Sequence, residues 1–417
     1  MANPAVAVTA AAGVRSLRWP VVGLLTLGVI IAYIDRINLS SALPEIRKSF
    51  DLSPSAAGIL LSAFFWSYAL LQVPAGWVVD RFGVRTPYAV AFLIWSCVAA
   101  ATSMVDSLAG LIAVRILLGI GESVVTPASL RFIRMNFAEK ERGLAVGVYM
   151  SGTKFGPAIG APLAAYLIQG YGWRMMFLIL GLGCLLWLIP WLSLVPRDGD
   201  RRPAQTSVAA APATPVSWGR ILLNPIILGT CLATFAYMYF VYFCMTWMPT
   251  YFKERHGLSL TDSGWFTAGA FGGMALVGIL GGWAADRLIA RGGNPVTVRK
   301  GFAIAGFLLA LTEAGAAFTS DYNLSLFLAV FSLSGLGLTM ANYWALTQTL
   351  MPAAIIGRVS GIQNTAANLA GVASPWISGI LVERTGSFNA PLVAIGVFLA
   401  AGISAYIFLV KEKYAVR

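Results

Sequence analysis

Charge is scarce in this chain. Only 11% of its 417 residues are Asp, Glu, Lys or Arg, whereas soluble domains carry about a quarter. A single histidine, His256, argues against a His-based metal centre, and no HExxH occurs. The four cysteines (Cys97, Cys184, Cys231, Cys244) lie in apolar stretches without CxxC spacing. They read as small helix residues, with neither a disulfide framework nor a metal site implied. No G-x-x-x-x-G-K-[ST] run is present, so nothing points to ATP as a driving force, and no GxGxxG follows a strand-like run. An enzyme therefore has little support, and no catalytic or metal-ligating set is expected.

Apolar residues are abundant instead, at 58% of the chain, with a mean hydropathy of +0.77. Such a composition belongs in a lipid bilayer, which is the first expected partner. A helix crosses the hydrocarbon core with about 20 apolar residues, and open sheet edges are not viable there. An all-α membrane protein is expected. The net charge of +12 comes from basic residues gathered in short loops between apolar runs. That is the positive-inside pattern, so no nucleic-acid partner is implied. The first 18 residues, with Arg15 and Arg18, lack a cleavable apolar core and read as a short cytoplasmic tail.

Runs of spanning length recur near 20–43, 55–79, 86–105, 108–131, 143–169 and 173–195, then 221–250, 260–285, 300–319, 323–350, 357–382 and 388–410. This predicts twelve transmembrane helices with both termini cytoplasmic, because the loops holding Arg81, Arg85, Arg131, Arg134, Lys140 and Arg142 are far more basic than those between them. The Pro-, Ala- and charge-rich stretch 196–220 reads as a cytoplasmic linker between two six-helix bundles, 1–195 and 221–417. The bundles repeat one another. Leu52 matches Leu258, Ser53 matches Ser259, Gly58 matches Gly264, Gly76 matches Gly282, and Asp80-Arg81 matches Asp286-Arg287, always 206 residues on. Parallel six-span repeats are the architecture of a rocking transporter with its site between the halves. A monomer is expected.

"GWVVDRFGVR", Gly76 to Arg85, fits the GxxxDRxGxR loop of the major facilitator superfamily, in its usual place between spans two and three. Within that superfamily, "YIDRINLS" at Tyr33 and "RILLGIGES" at Arg115 resemble the first- and fourth-span motifs of the anion:cation symporter branch, as do "YGWRMMF" at Tyr171 and "GIQNTAANLAGVASP" at Gly361. That branch includes bacterial hexonate and hexuronate symporters, sialin and vesicular glutamate carriers. The resemblance implies uptake of an organic anion together with protons across a bacterial inner membrane, with no cofactor beyond the proton. The run "SGTKFGPAIGAP" departs from the branch. Its Lys154 stands where relatives more often carry Ala or Gln, and its glycine spacing resembles a motif associated with antiporters.

Five charges lie deep in the spans of the first half: Asp35, Arg36, Arg115, Glu122 and Lys154, while Glu313 lies nearer an end of its span. Burial of a charge at the bilayer centre costs about 2.5–3.5 kcal/mol on insertion scales. Mutual neutralisation as helix glue is one reading; proton coupling is the other. A carboxyl holds its proton more tightly in apolar surroundings and less tightly beside a cation. One that exchanges an arginine for apolar surroundings as the protein rocks therefore binds and releases a proton. Asp35 and Glu122 are the two candidates, and the resemblance points to the same pair. Arg115 and Glu122, seven residues apart, share a helix face about 10 Å apart. Asp35 is expected near Arg115, and Glu122 alone or against Arg36 or Lys154.

For the substrate, Arg36 is the first choice as anion anchor, since its fork matches a carboxylate. Arg115 comes second. Lys154 reads equally as a further cation or as a partner of Glu122, with Thr153 beside it. Tyr33 and Tyr68 are candidate donors to substrate hydroxyls. In the second half, Trp247 near Pro249 is a candidate gate or cavity wall. Asn342, Asn364 and Asn368 are polar enough to need partners in a membrane. Asn364 and Asn368 share a face, and Gln363 points elsewhere. The loops with Asp80, Arg81, Arg85, Asp286 and Arg287 are expected at the cytoplasmic surface as a charge latch, on location and resemblance together. His256 reads as solvated.

Overall fold

The computed structural model describes residues 4–137, 139–195, 221–319, 321–351 and 355–414. Among the described residues there are helices and no strands. The first half holds α1 (Pro4–Phe50), α2 (Pro54–Phe82), α3 (Arg85–Ala101), α4 (Leu108–Glu122), α5 (Val125–Asn136), α6 (Glu139–Cys184) and α7 (Leu188–Leu194). The second holds α8 (Pro225–His256), α9 (Leu260–Ala290), α10 (Pro295–Ala310), α11 (Thr312–Ala316), α12 (Tyr322–Leu350), α13 (Ile356–Thr385) and α14 (Asn389–Phe408). The expected linker, 196–220, lies outside the described residues, with its Arg197, Arg201, Arg202 and Arg220.

Among the described residues, eleven helical segments are long and apolar enough to cross a membrane, and the one over Leu144–Leu194 is 51 residues long. At 1.5 Å per residue that is more than twice the hydrocarbon thickness. Gly172 breaks it, with φ 81 and ψ 162, a conformation open to glycine. The break divides it into two crossings, which accords with the twelve-span reading.

Two spans are interrupted where hydroxyl groups compete for helix carbonyls. Ser123 donates to the Ile120 carbonyl at 2.7 Å beside the gap between α4 and α5. Thr312 donates to the Leu309 carbonyl at 2.6 Å at the start of α11. At the amino end α1 is already helical from Pro4.

The repeated residues have a structural purpose. Asp51 and Gly257, matched positions, both take positive φ (49° and 65°) and turn the chain out of α1 and α8. Ser53 and Ser259 then cap α2 and α9, accepting from the backbone N–H groups of Ala56 and Asp262. Gly58 of α2 lies against Pro375 and Gly379 of α13, and Gly264 of α9 lies against Ala161 and Pro162 of α6. The same relation reaches α1 and α8, where the Ser40 hydroxyl donates to the Thr246 carbonyl at 2.5 Å across a separation of 206 residues. The two helices cross at equivalent positions on a pseudo-twofold axis.

The halves are clamped at the end of the bundle where α1 meets α2 and α8 meets α9. Arg47 pairs with Glu254 there, Lys253 with Glu45 at 3.0 Å, and Glu383 accepts from the Ser55 N–H at 2.8 Å. At the opposite, basic end the pairs Arg18–Glu141, Arg131–Asp80 and Arg299–Asp286 each stay within one half.

Candidate functional site

The site starts from how closely α6 lies on α1. Gly152 packs on Val29, Gly156 on Tyr33, and Gly160 on Ile34 and Ile37. Glycines four residues apart let helix backbones touch, which gives this motif a packing role of its own. The contact fixes the face of α1 that carries Tyr33 and Arg36.

The Arg36 guanidinium is caged by three rings, with Tyr33 at 4.4 Å and Phe64 and Tyr68 each at 4.6 Å. Phe64 and Tyr68, one helical turn apart on α2, stack on each other with centroids 5.2 Å apart. Arg36 Nε donates to Glu122 Oε2 at 2.9 Å, and Nη2 lies 2.9 Å from the same oxygen. Glu122 is 0% exposed. Sequence reasoning named Tyr33, Tyr68 and both charges. It missed Phe64, for which an aromatic four residues before Tyr68 was the available signal.

Around this pair the polar groups are under-partnered. Glu122 Oε1, Asp35 Oδ2, Arg115 Nη2 and both ends of the Asn38 amide are buried with no hydrogen-bond partner among the described residues. Arg115 lies within electrostatic range of Glu122 first and Asp35 second, and among the described residues it closes an ion pair with neither. Leaving a buried polar atom unmet costs about 1–3 kcal/mol, more for charged groups. The cluster thus buries more charge than it pairs among the described residues.

A small pocket of ≈ 10 Å³, room for about one water, adjoins the cluster, lined by Arg36, Leu39, Leu61, Phe64, Phe65, Arg115, Met245 and Thr246. Both arginines therefore face one space between the halves. The second half supplies Met245 and Thr246 to its wall. Trp247, the expected wall residue, is turned away: its side chain is 0% exposed, and its indole N–H donates to the Pro375 carbonyl at 3.0 Å. One residue along a helix rotates a side chain by about 100°, which explains the substitution of Thr246 for Trp247.

Lys154 is buried, at 8% exposure. Among the described residues it makes no hydrogen bond or ion pair, and Glu122 is taken by Arg36. Thr153 donates to the Met150 carbonyl of its own helix at 2.8 Å. Asn364 donates to Gln72 Oε1 of α2 at 3.2 Å, joining the halves. Asn368 bonds back to the Asn364 carbonyl at 3.0 Å. Gln363 instead bonds Thr234 within its own half at 2.8 Å. Asn342 donates to the Leu338 carbonyl at 2.9 Å and leaves its Oδ1 unpaired.

In the basic-end loops, Asp80 pairs with Arg131 and Asp286 with Arg299, partners that the DR motif alone does not reveal. Arg81 lies over Trp77 and Phe82, each at 5.7 Å, and Arg287 over Trp283 at 5.4 Å. Arg85 donates to the Leu192 carbonyl. His256 is half-buried rather than solvated, with its Nε2 at 3.3 Å from the Tyr251 hydroxyl and 3.2 Å from Ser325 Oγ.

Two repeated helical halves around a charged, partly enclosed cavity define a secondary transporter of the membrane. The chain belongs to the Major Facilitator Superfamily, whose family model matches residues 25–375. It is 30% identical over 404 residues to a D-galactonate transporter of Escherichia coli, covering 92% of this chain and 93% of that one. It is 32% identical over 407 residues to a probable sulfoacetate transporter of Cupriavidus necator, covering 94% of each. A probable galactarate/D-glucarate transporter of Bacillus subtilis is 29% identical over 429 residues, with 97% of this chain and 94% of that one covered. These relatives match the organic-anion branch expected from Tyr33 to Ser40.

In fold, the chain is similar to an inward-facing bacterial homologue of the human lysosomal transporter Spinster, with a TM-score of 0.80 at 17% identity, covering 96% and 98% of the two chains. It is also similar to a D-xylose–proton symporter, with a TM-score of 0.76 at 20% identity over 94% and 97%.

Proposed function

We propose that this protein takes up an organic anion of the sugar-acid kind by alternating access, with protons as the coupling ion and no other cofactor. The observation that carries the reading is the Arg36–Glu122 pair, buried beside the cavity between the halves. An arginine bound to a carboxylate is occupied. When Glu122 takes a proton its hold on Arg36 weakens, and the guanidinium is released toward an anionic substrate. Loss of substrate on the far side restores the pair and expels the proton. Asp35, unpaired beside Arg115, is the second proton carrier in this scheme. The names of the relatives support sugar acids as the cargo class.

In this reading the protein is a monomer in a bacterial inner membrane, with the basic end and both termini in the cytoplasm. The clamp at the Arg47–Glu254 end then closes the outer gate. Asp80–Arg131 and Asp286–Arg299 are the charges that re-pair across the halves when the inner gate closes.

Reconstituted vesicles with an inward proton gradient should accumulate labelled galactonate. Asp35→Asn and Glu122→Gln should each abolish accumulation, with at least one retaining exchange of substrate for substrate. Accumulation that ignores the gradient, or both variants concentrating substrate normally, would sink the coupling scheme. The second reading, an exporter or antiporter of aromatic or dicarboxylic acids or drugs, draws on the spacing Gly152, Gly156-Pro157, Gly160. Export from loaded cells without net proton-coupled uptake would favour it.

A further inference from the structure

We infer that the loaded site takes an organic dianion with a carboxylate at each end, one held by the released arginine and the other by Lys154. This rests on the symport reading above and specifies its substrate class.

The first ground is charge balance inside the first half. Three cations (Arg36, Arg115, Lys154) and two carboxylates (Asp35, Glu122) are buried there. Arg36 pairs with Glu122 through Oε2, and Arg115 lies within electrostatic range of Glu122 and Asp35 without closing an ion pair with either. Lys154 remains over, buried and without a hydrogen bond or ion pair among the described residues. An unneutralised ammonium is expensive in such a setting unless an anion arrives to meet it. Protonation of one carboxyl, the coupling step, releases its arginine. The loaded site then presents two uncompensated cations, and a monocarboxylate can answer only one.

The second ground is placement. Lys154 lies seven residues before Ala161 on α6, nearly the same helix face. The Ala161 backbone is the surface on which Gly264 of α9 rests, so this face of α6 looks toward the second half. It is the direction from which a substrate between the halves would be met. Because Gly152 packs on Val29 and Gly156 on Tyr33, α6 and α1 run in parallel register. Lys154 is therefore level with Ile31, roughly 8 Å along the axis from Arg36 on the basic-end side. The spare cation does not duplicate the arginines. It marks a second anchoring point farther along the pathway, which suits a chain charged at both ends rather than one bulky monoanion.

The test compares labelled galactarate, with two carboxylates, and galactonate, the same six-carbon chain with one, in vesicles holding the full-length protein. Wild-type protein should favour galactarate at least tenfold in apparent affinity. In Lys154→Gln the galactarate-to-galactonate affinity ratio should fall by about tenfold to a hundredfold, the worth of a charge-assisted contact. Lys154→Arg should keep the preference within about threefold. A ratio does not depend on how much variant protein folds. Equal wild-type affinities for the two acids, or an unchanged ratio in Lys154→Gln, would overturn the dianion assignment and leave proton-driven uptake standing. Uptake of neither acid would overturn both.

Discussion

The two halves share a backbone plan and differ in what they bury at matched positions. On α1, Asp35 and Arg36 face the charged cluster; 206 residues on, α8 carries Val241 and Tyr242. Both second-half residues are buried, and Tyr242 packs on Phe65 of α2 with ring centroids 4.5 Å apart. The positive-φ turn, the serine cap and the interface glycine are kept in both halves, while the charges are confined to one. The fold therefore needs caps and close helix contacts, and it closes equally well around an apolar or a charged face. In the first half, Arg36 and Arg115 line the cavity. Glu313 is the exception in the second half, buried with Ser332 donating to it at 2.6 Å. Burying such groups where α1 crosses α8 would favour glue; their absence from α8 favours a task.

Breaking the charged half should have the largest effect. Arg36→Ala leaves Glu122 buried and unpaired, and should cost about 3–5 kcal/mol of stability, read as a lowered thermal midpoint of the purified protein. Adding Glu122→Gln should recover most of that loss, and an unchanged midpoint in the single variant would mean the pair is not formed. Giving α8 a charge is the converse experiment. Val241→Asp has no cation waiting for it and should cost about 2.5–3.5 kcal/mol, read as reduced insertion and folded yield.

Smaller effects sharpen the packing side of the comparison. Gly156→Val forces α6 from the Tyr33 side chain and should destabilise by about 1–3 kcal/mol. It should also weaken substrate binding in a ligand-induced thermal-shift assay, because Tyr33 supports Arg36. The rim pairs come last. Arg47→Ala with Lys253→Ala should cost only about 0.2–1 kcal/mol per pair, less at high salt. Distances between spin labels across the clamped end should nevertheless lengthen; if they stay fixed, the clamp is held by helix packing alone.

Much of this was legible in residue order because it depends on solvent and on local geometry. The bilayer demands long apolar helices, and their periods and loop charges are written locally. The repeated Leu-Ser dipeptides with their glycines signalled two equivalent bundles. The candidates on the first and fourth spans were legible because a charge inside an apolar run is conspicuous. The partners were not. Trp247 looked like a wall by its size, yet a rotation of one residue hands that place to Thr246 and turns the indole to Pro375. His256 looked solvated beside three charged neighbours, but Tyr251 and Ser325 meet it.

What residue order determined by itself is the medium, the twofold plan and the short inventory of intramembrane charges, since each follows from composition, period and spacing. Which charge meets which was decided only by tertiary structure. Glu122 goes to Arg36, Asp35 stays open beside Arg115, and Lys154 is left over. Those pairings depend on helix rotation and axial register between segments far apart in the chain. Ångström-scale shifts there separate an ion pair from two unmet charges, and no local pattern encodes them.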